Sequence, residues 1–264
     1  MSSDALYIAA TGMQAQQLSV DTIANNLANV NTPGFKKSRV AFSDLVTGDL
    51  SRLPRGTDAE AGPLAAPQRL GAGVVIAKME RLLDAGDVKQ TGNALDVAIQ
   101  GAGFLEVAMP DGTRAYTRGG SLKINNEGWL TTATGHTLKP GIQVPPTATN
   151  LTITPAGAIK ANVPGHAQPL EIGQLELVRF ANPAMLQSLG EGAYRVTEAS
   201  GEAITARPGQ DDAGTIVQGM LEGSNVKLVD EMVSLMVAQR AYEASVKVIQ
   251  ASDEMLGMVN NLRK

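Results

Sequence analysis

The two ends of this 264-residue chain carry the same apolar spacing, and that repetition constrains the fold more than any other feature. Leu6, Ala9, Met13, Gln16, Val20, Ile23, Leu27 and Val30 are separated alternately by three and four residues. Near the other end, Leu228, Met232, Leu235, Gln239, Tyr242, Val246, Ile249, Asp253 and Leu256 alternate in the same way. Each pattern predicts a long amphipathic helix with a heptad seam, suited to packing on another helix. Ser2, Ser3 and Asp4 are N-cap candidates for the first helix, and Thr32-Pro33-Gly34 must end it. Gly223-Ser224-Asn225 opens the second, with no Pro or Gly until Gly257. Because the seams lie at opposite ends of the chain, the ends must meet for them to pair. The plainer alternative docks each helix on its own domain's core. One two-helix seam cannot cover all these side chains, so the ends are expected to order firmly only when other subunits bury the rest.

Between Gly71 and Arg207 the helical period gives way to strand-and-turn punctuation. Phe104–Ala108 and Arg114–Arg118 flank Pro110-Asp111-Gly112, Leu122–Ile124 and Trp129–Thr132 flank Asn125–Gly128, and Leu151–Thr154 and Ala158–Val163 flank Pro155-Ala156-Gly157. Tyr194–Thr197 and Ala203–Ala206 read as another hairpin around Ser200-Gly201, and Leu170–Phe180 reads as strand with a phase slip near Gly173. Ser43–Leu70 is rich in Ala, Gly and Pro and reads as a long loop or linker. The expected fold class is α+β: long N- and C-terminal helices pairing as a coiled coil, with a central antiparallel β-rich domain. Residues 1–32 with 224–264 form the helical part, 33–70 with 208–223 a connecting segment, and 71–207 the β domain.

The chemistry of the chain narrows its function. With no Cys and only His136 and His166, thiolate and multi-histidine metal sites are excluded, as is cysteine nucleophilic catalysis. A formal net charge of −4 and 3% aromatic content argue against nucleic acid as a partner. No apolar run is long enough to span a membrane, and no basic residue precedes Lys36, so neither membrane insertion nor a cleaved leader is expected. Gly71-Ala72-Gly73 and Gly101-Ala102-Gly103 lack the third glycine of a dinucleotide fingerprint and read as structural. Both histidines lie in turn contexts and read as surface residues. No catalytic, cofactor or metal motif is present, which favours a structural or binding protein over an enzyme.

Ala24-Asn25-Asn26-Leu27-Ala28-Asn29-Val30-Asn31-Thr32-Pro33-Gly34-Phe35-Lys36 resembles the N-terminal signature of the bacterial flagellar rod and hook proteins. Glu222-Gly223-Ser224-Asn225-Val226, Gln239-Arg240-Ala241-Tyr242-Glu243 and Asp253–Leu256 are similar to the C-terminal region of the distal-rod branch, and Asp96–Phe104 and Pro110–Arg118 to its β region. Arg118–Leu122 departs from the more usual Asp-Gly-Ser-Phe pattern, which implies a changed turn. The resemblance spans nearly the whole chain. It implies a subunit exported by the flagellar type III apparatus that polymerises helically with itself into a hollow, rigid shaft. The shaft would cross the periplasm, meeting proximal-rod proteins, the hook protein and a surrounding ring bushing, and would carry torque to the hook and form part of the export channel. Ser43–Leu70 corresponds to a segment that packs between subunits and stiffens the rod.

The assembly interface is then assigned to Leu6, Met13, Val20, Ile23, Leu27, Val30, Leu228, Met232, Leu235, Tyr242, Val246, Ile249 and Leu256. Asn25, Asn26, Asn29 and Asn31 are expected to satisfy backbone groups where the helix yields to Pro33-Gly34 and Phe35, while Asn225 and Gln239 belong to the family motif. Arg240 and Glu243 are expected to pair between subunits. The competing readings are a proximal-rod or hook paralogue and, from another class, a monomeric extracellular binding module on a helical stalk.

Overall fold

The computed structural model describes residues 2–49, 69–164, 168–210 and 212–262. The chain is α+β, with a helix at each end and an antiparallel β-rich middle. Helix α1 is Ser2–Ala28 and α2 is Leu228–Leu262. Between them run β1 (Ser38–Asp49), β2 (Arg69–Arg81), β3 (Val88–Gln90), β4 (Val97–Gln100), β5 (Leu105–Ala108), β6 (Arg114–Thr117), β7 (Leu122–Ile124), β8 (Leu130–Thr132) and β9 (Thr137–Lys139). They are followed by β10 (Asn150–Ile153), β11 (Ala158–Asn162), β12 (Leu170–Gln174), β13 (Leu177–Arg179), β14 (Gln187–Gly190), β15 (Ala193–Arg195), β16 (Ile204–Ala206), β17 (Thr215–Gln218) and β18 (Met220–Glu222).

Two compact units result: residues 1–27, 38–80 and 228–264 form one, and residues 28–37 and 81–227 the other. These boundaries differ from the three-part division read from the sequence. Strands β1 and β2 pair with each other, and β2 approaches α1 closely at Gly73. A Cβ built there would stand 2.4 Å from Thr11 Oγ1, and Gly73 has φ +115°. Both facts call for glycine. The segment Ser43–Leu70 is therefore not loop throughout: Ser43–Asp49 and Arg69–Leu70 are strand, and residues 50–68 lie outside the described residues. The physical reason is visible in the sequence, since Ser38–Asp49 holds β-formers such as Val40, Phe42, Val46 and Thr47 but no proline. Pro54, Pro63 and Pro67 all fall beyond it.

In the second unit the largest sheet has seven strands in the order β14-β15-β6-β5-β9-β8-β7. The hairpins β5–β6, β7–β8 and β10–β11 form where the Pro/Asn/Gly turns predict. The slip near Gly173 is a bulge, because Ile159 faces Gly173 while Lys160 faces Glu171, leaving Ile172 unmatched. The hairpin expected around Ser200-Gly201 does not form: β15 joins β14 and β6, whereas β16 joins β13. Thr197 instead caps a short 3-10 turn over Glu198–Ser200, and that turn sends the chain to a different sheet. Val97, Leu105, Leu122, Leu130, Leu138, Ile159, Leu177 and Ile216 are among the side chains of the main core. Phe104, Tyr116, Val178 and Tyr194 make a second core with edge-on ring contacts to Phe180.

Candidate assembly surface and buried charge cluster

In the helical unit the chain buries an unexpected face of each helix. Ala9, Ala15, Thr22 and Asn26 of α1 and Glu231, Ala238 and Ser252 of α2 are buried. Glu231, Ala238, Ser245 and Ser252 recur every seven residues, as do Gly12, Ser19 and Asn26. Two contacts set the helices against one another. Asn26 Nδ2 donates to Glu231 Oε2 at 3.2 Å, and a Cβ on Gly12 would lie 3.7 Å from Ser245 Oγ. Fourteen residues back on α1 matches fourteen forward on α2, so the helices run antiparallel. Small side chains fill the centre of this contact, and the bulkier seam residues lie beside it. Of the residues read as seam, Ala9 is buried, Leu6, Met13, Val20, Ile23, Leu27, Leu235, Val246 and Ile249 are half-buried, and Leu228, Met232, Tyr242 and Leu256 are exposed. In the second unit Val30 is half-buried. Val229, Val233, Met236, Val237 and Val248 add to the exposed apolar face of α2, with Val229 reaching 70%. A groove of about 570 Å³ runs between Gln17 and Val20 of α1 and Gln239, Tyr242 and Glu243 of α2.

The asparagine motif separates by role. Asn26 grips the first residue of β1 twice, its Nδ2 donating to Ser38 O and its Oδ1 accepting from Ser38 N–H, both at 2.9 Å. The backbone it satisfies thus belongs to β1 rather than to the helix end. Asn29 Oδ1 accepts from Thr32 Oγ1 at 3.1 Å and builds the turn, whereas Asn25, Asn31 and Pro33 are exposed. Asn225 does for the second unit what Asn26 does for the first. Its Oδ1 accepts from Lys37 N–H at 2.8 Å, and its Nδ2 donates to Leu82 O at 2.8 Å and to Asp84 O at 3.2 Å. Arg240 and Glu243 pair within α2 at 2.9 Å, on the exposed surface. An i,i+3 pair so placed contributes little to stability.

The second unit also encloses a buried charge cluster that lies outside the interface residues assigned from the sequence. Lys36 has 0% exposure, and its Nζ donates to Glu222 Oε1 and to Asp84 O, each at 2.6 Å. Glu222 Oε1 also accepts from Gly86 N–H at 2.9 Å, and Oε2 from Arg118 Nε at 2.9 Å. The rest of the Arg118 guanidinium donates to the carbonyls of Gly103, Ile99 and Gly101. Gly34 N–H donates to Glu222 O at 2.8 Å, and Gly34 has φ +70° with the Arg118–Gly119 backbone directly against it. A side chain on Gly120 would collide with Val97 O at 1.6 Å. Arg118–Leu122, the stretch that departs from the family pattern, therefore supplies a buried cation and a glycine on which another strand rests. Burial pushes the Lys36 ammonium below its ordinary pKa despite its carboxylate partner. Burial acts to raise the Glu222 pKa, but Arg118, the Lys36 hydrogen bond and the Gly86 N–H together hold it below the usual carboxylate range. The sequence holds only a weak signal for the cluster: Gly34-Phe35-Lys36, Arg118-Gly119-Gly120 and Glu222-Gly223 each set a charge within two residues of a glycine.

Elsewhere, a cleft of about 140 Å³ in the β-rich unit is lined by Ser121, Thr134, His136 and Glu191. His136 is not a surface histidine, its side chain being 12% exposed with Nε2 3.8 Å from Glu191 Oε2. His166 lies outside the described residues. Among the described residues no cluster of metal-ligating side chains gathers, and no helix is long and apolar enough to cross a membrane.

Comparison with known proteins covers the same regions. Residues 6–36 match the family described as flagella basal body rod protein, and residues 98–161 match the flagellar hook protein FlgE/F/G D1 domain. Residues 217–262 match the flagellar basal body rod FlgEFG protein C-terminal region. The flagellar basal-body rod protein FlgG of Borreliella burgdorferi is 44% identical over 263 residues, covering 98% of each chain. The Caulobacter vibrioides protein of that name is 39% identical over 259 residues, covering 98% of this chain and 99% of its own. That of Bacillus subtilis is 36% identical over 266 residues, covering 98% of each. With full-length likeness of this order and matches at both helices and in the β-rich unit, the chain belongs to the flagellar basal-body rod protein family.

Proposed function

We propose that this chain is a structural subunit of the bacterial flagellar basal-body rod, of the distal type, and that it polymerises with copies of itself through its helical unit. The observation that carries the reading is the placement of the apolar side chains on α2. The chain spends small residues on its own helix contact and turns Val229, Met232, Val233, Met236 and Val237 outward. A contiguous apolar face of this kind requires a covering partner. The partner is another copy, joined head to tail, because a self-complementary patch would stop at a dimer whereas a heterologous contact propagates.

In the assembled rod the two helices pair as a coiled coil that lines a hollow tube. The shaft spans the periplasm, transmits torque from motor to hook and forms part of the export channel. Proximal-rod proteins, the hook protein, the ring bushing and the type III export apparatus are its neighbours. The family likeness supports the rod subunit, and these finer points extend it. The test is sedimentation velocity of the full chain over a range of concentrations. Association that grows with concentration, and that is abolished in Val233→Asp while its circular dichroism stays unchanged, supports the reading. A chain that remains monomeric throughout, with a folded helical unit, overturns it in favour of a binding module.

A further inference from the structure

The chain contains no cysteine, so its only oxidisable sulfur is in its ten methionines. Six of the described methionines are exposed: Met79 at 56% on β2, Met185 at 36%, and four on α2, Met232 at 50%, Met236 at 56%, Met255 at 55% and Met258 at 59%. Met232 and Met236 are one helical turn apart and share their face with Val229 and Val233, at i, i+3, i+4 and i+7 spacing. Met255 and Met258 form a second exposed pair near the far end, beside exposed Leu256. Met232, Met236 and Met258 are offset around α2 from Glu231, Ala238 and Ser252, the residues that α2 buries, and Met255, one turn beyond Ser252, is exposed all the same. Met13, Met109 and Met220, by contrast, are half-buried.

We propose that these four methionines form a peroxide-reactive modification site that controls the assembly face. The proposal rests on the self-association reading above. A hydroperoxide transfers one oxygen atom to each thioether: the sulfur lone pair attacks the terminal peroxide oxygen, the O–O bond breaks, and water or an alcohol leaves. Sulfur is oxidised by two electrons to the sulfoxide and the peroxide is reduced by two. A flexible apolar side chain becomes a polar one with a strong acceptor oxygen. On a solvated helix face that change costs little. In a dry interface each sulfoxide oxygen needs a donor, which Val229, Val233 and Val237 around Met232 and Met236, and Leu256 beside Met255, cannot supply. Oxidation therefore leaves the folded subunit intact and removes its capacity to associate, and reduction of the sulfoxides restores it.

The experiment treats the full chain with hydrogen peroxide, maps added oxygen by peptide mass, and compares sedimentation before oxidation, after it, and after methionine sulfoxide reductase. The expected result is oxygen on Met232, Met236, Met255 and Met258 ahead of Met13, Met109 and Met220. Association should weaken at least ~10-fold, equivalent to ~1.4 kcal/mol, and recover on reduction. The variant carrying Met232→Leu, Met236→Leu, Met255→Leu and Met258→Leu should associate normally and resist peroxide. Oxidised protein that associates like untreated protein, a quadruple Leu variant that still loses association through Met79 or Met185, or oxygen on Met13, Met109 and Met220 as early as on the four, overturns the proposal while the rod reading stands. If untreated protein does not associate at all, it is the rod reading that fails, and with it the control of assembly proposed here.

Discussion

Glu222 shows how much one residue settles. Its two carboxylate oxygens hold Lys36, Arg118 and Gly86, and its carbonyl holds Gly34. Glu222→Gln leaves two buried cations without a counter-charge, and breaking such a pair costs about 3–5 kcal/mol. Urea unfolding followed through Trp129 should show a lower midpoint by that amount with an unchanged slope. The sign of the pH response follows from the depressed Glu222 pKa. The native state binds this proton less readily than the unfolded state, so the stabilisation is present above the ordinary carboxylate pKa and is lost as pH falls through the depressed one. Acid titration of stability should be flatter in Glu222→Gln than in the natural chain. Gly120→Ala probes a different constraint, because its methyl group would enter Val97 O. A thermal melt should show a loss of more than about 3 kcal/mol or no folded protein at all.

At the scale of elements, the helices are defined by what they bury. Asn26→Ala removes both partners of the Ser38 backbone and the donor to Glu231, which should cost about 1–3 kcal/mol in chemical unfolding. Ala238→Leu places a large side chain in the small-residue contact and should cost about 1–3 kcal/mol through overpacking. Met232→Leu lies on the outer face and should change the stability of the single chain by less than about 0.5 kcal/mol. The existence and amphipathic character of both helices were legible from spacing and punctuation, but their ends only to within a few residues, since α1 stops at Ala28, before Val30, and α2 starts at Leu228. Which face meets the partner helix within the chain was not, because heptad reasoning assigns the bulkiest stripe to the seam. A protein that must associate has two surfaces to cover, and here the small residues take the first.

For the whole molecule, the division into a helical unit and a β-rich unit follows the family regions only in part. The hairpins with strong turn signals were readable because two to four residues fix a turn. The exchange of β15 and β16 between sheets was not, since a non-local pairing leaves no local mark. The pair β1–β2 was obscured by the prolines between its strands, which colour the composition of the whole segment.

The sequence by itself determined the α+β class, the two terminal helices, most of the hairpins and the rod-family likeness, all of which rest on periodicity, turn chemistry and contiguous motifs. Only the tertiary structure decided that Lys36, Arg118 and Glu222 converge, that Asn26 and Asn225 clamp distant backbone, and that α2 presents its methionines outward. Those facts depend on residues far apart in the chain, and proximity of that kind is created by folding rather than written in spacing.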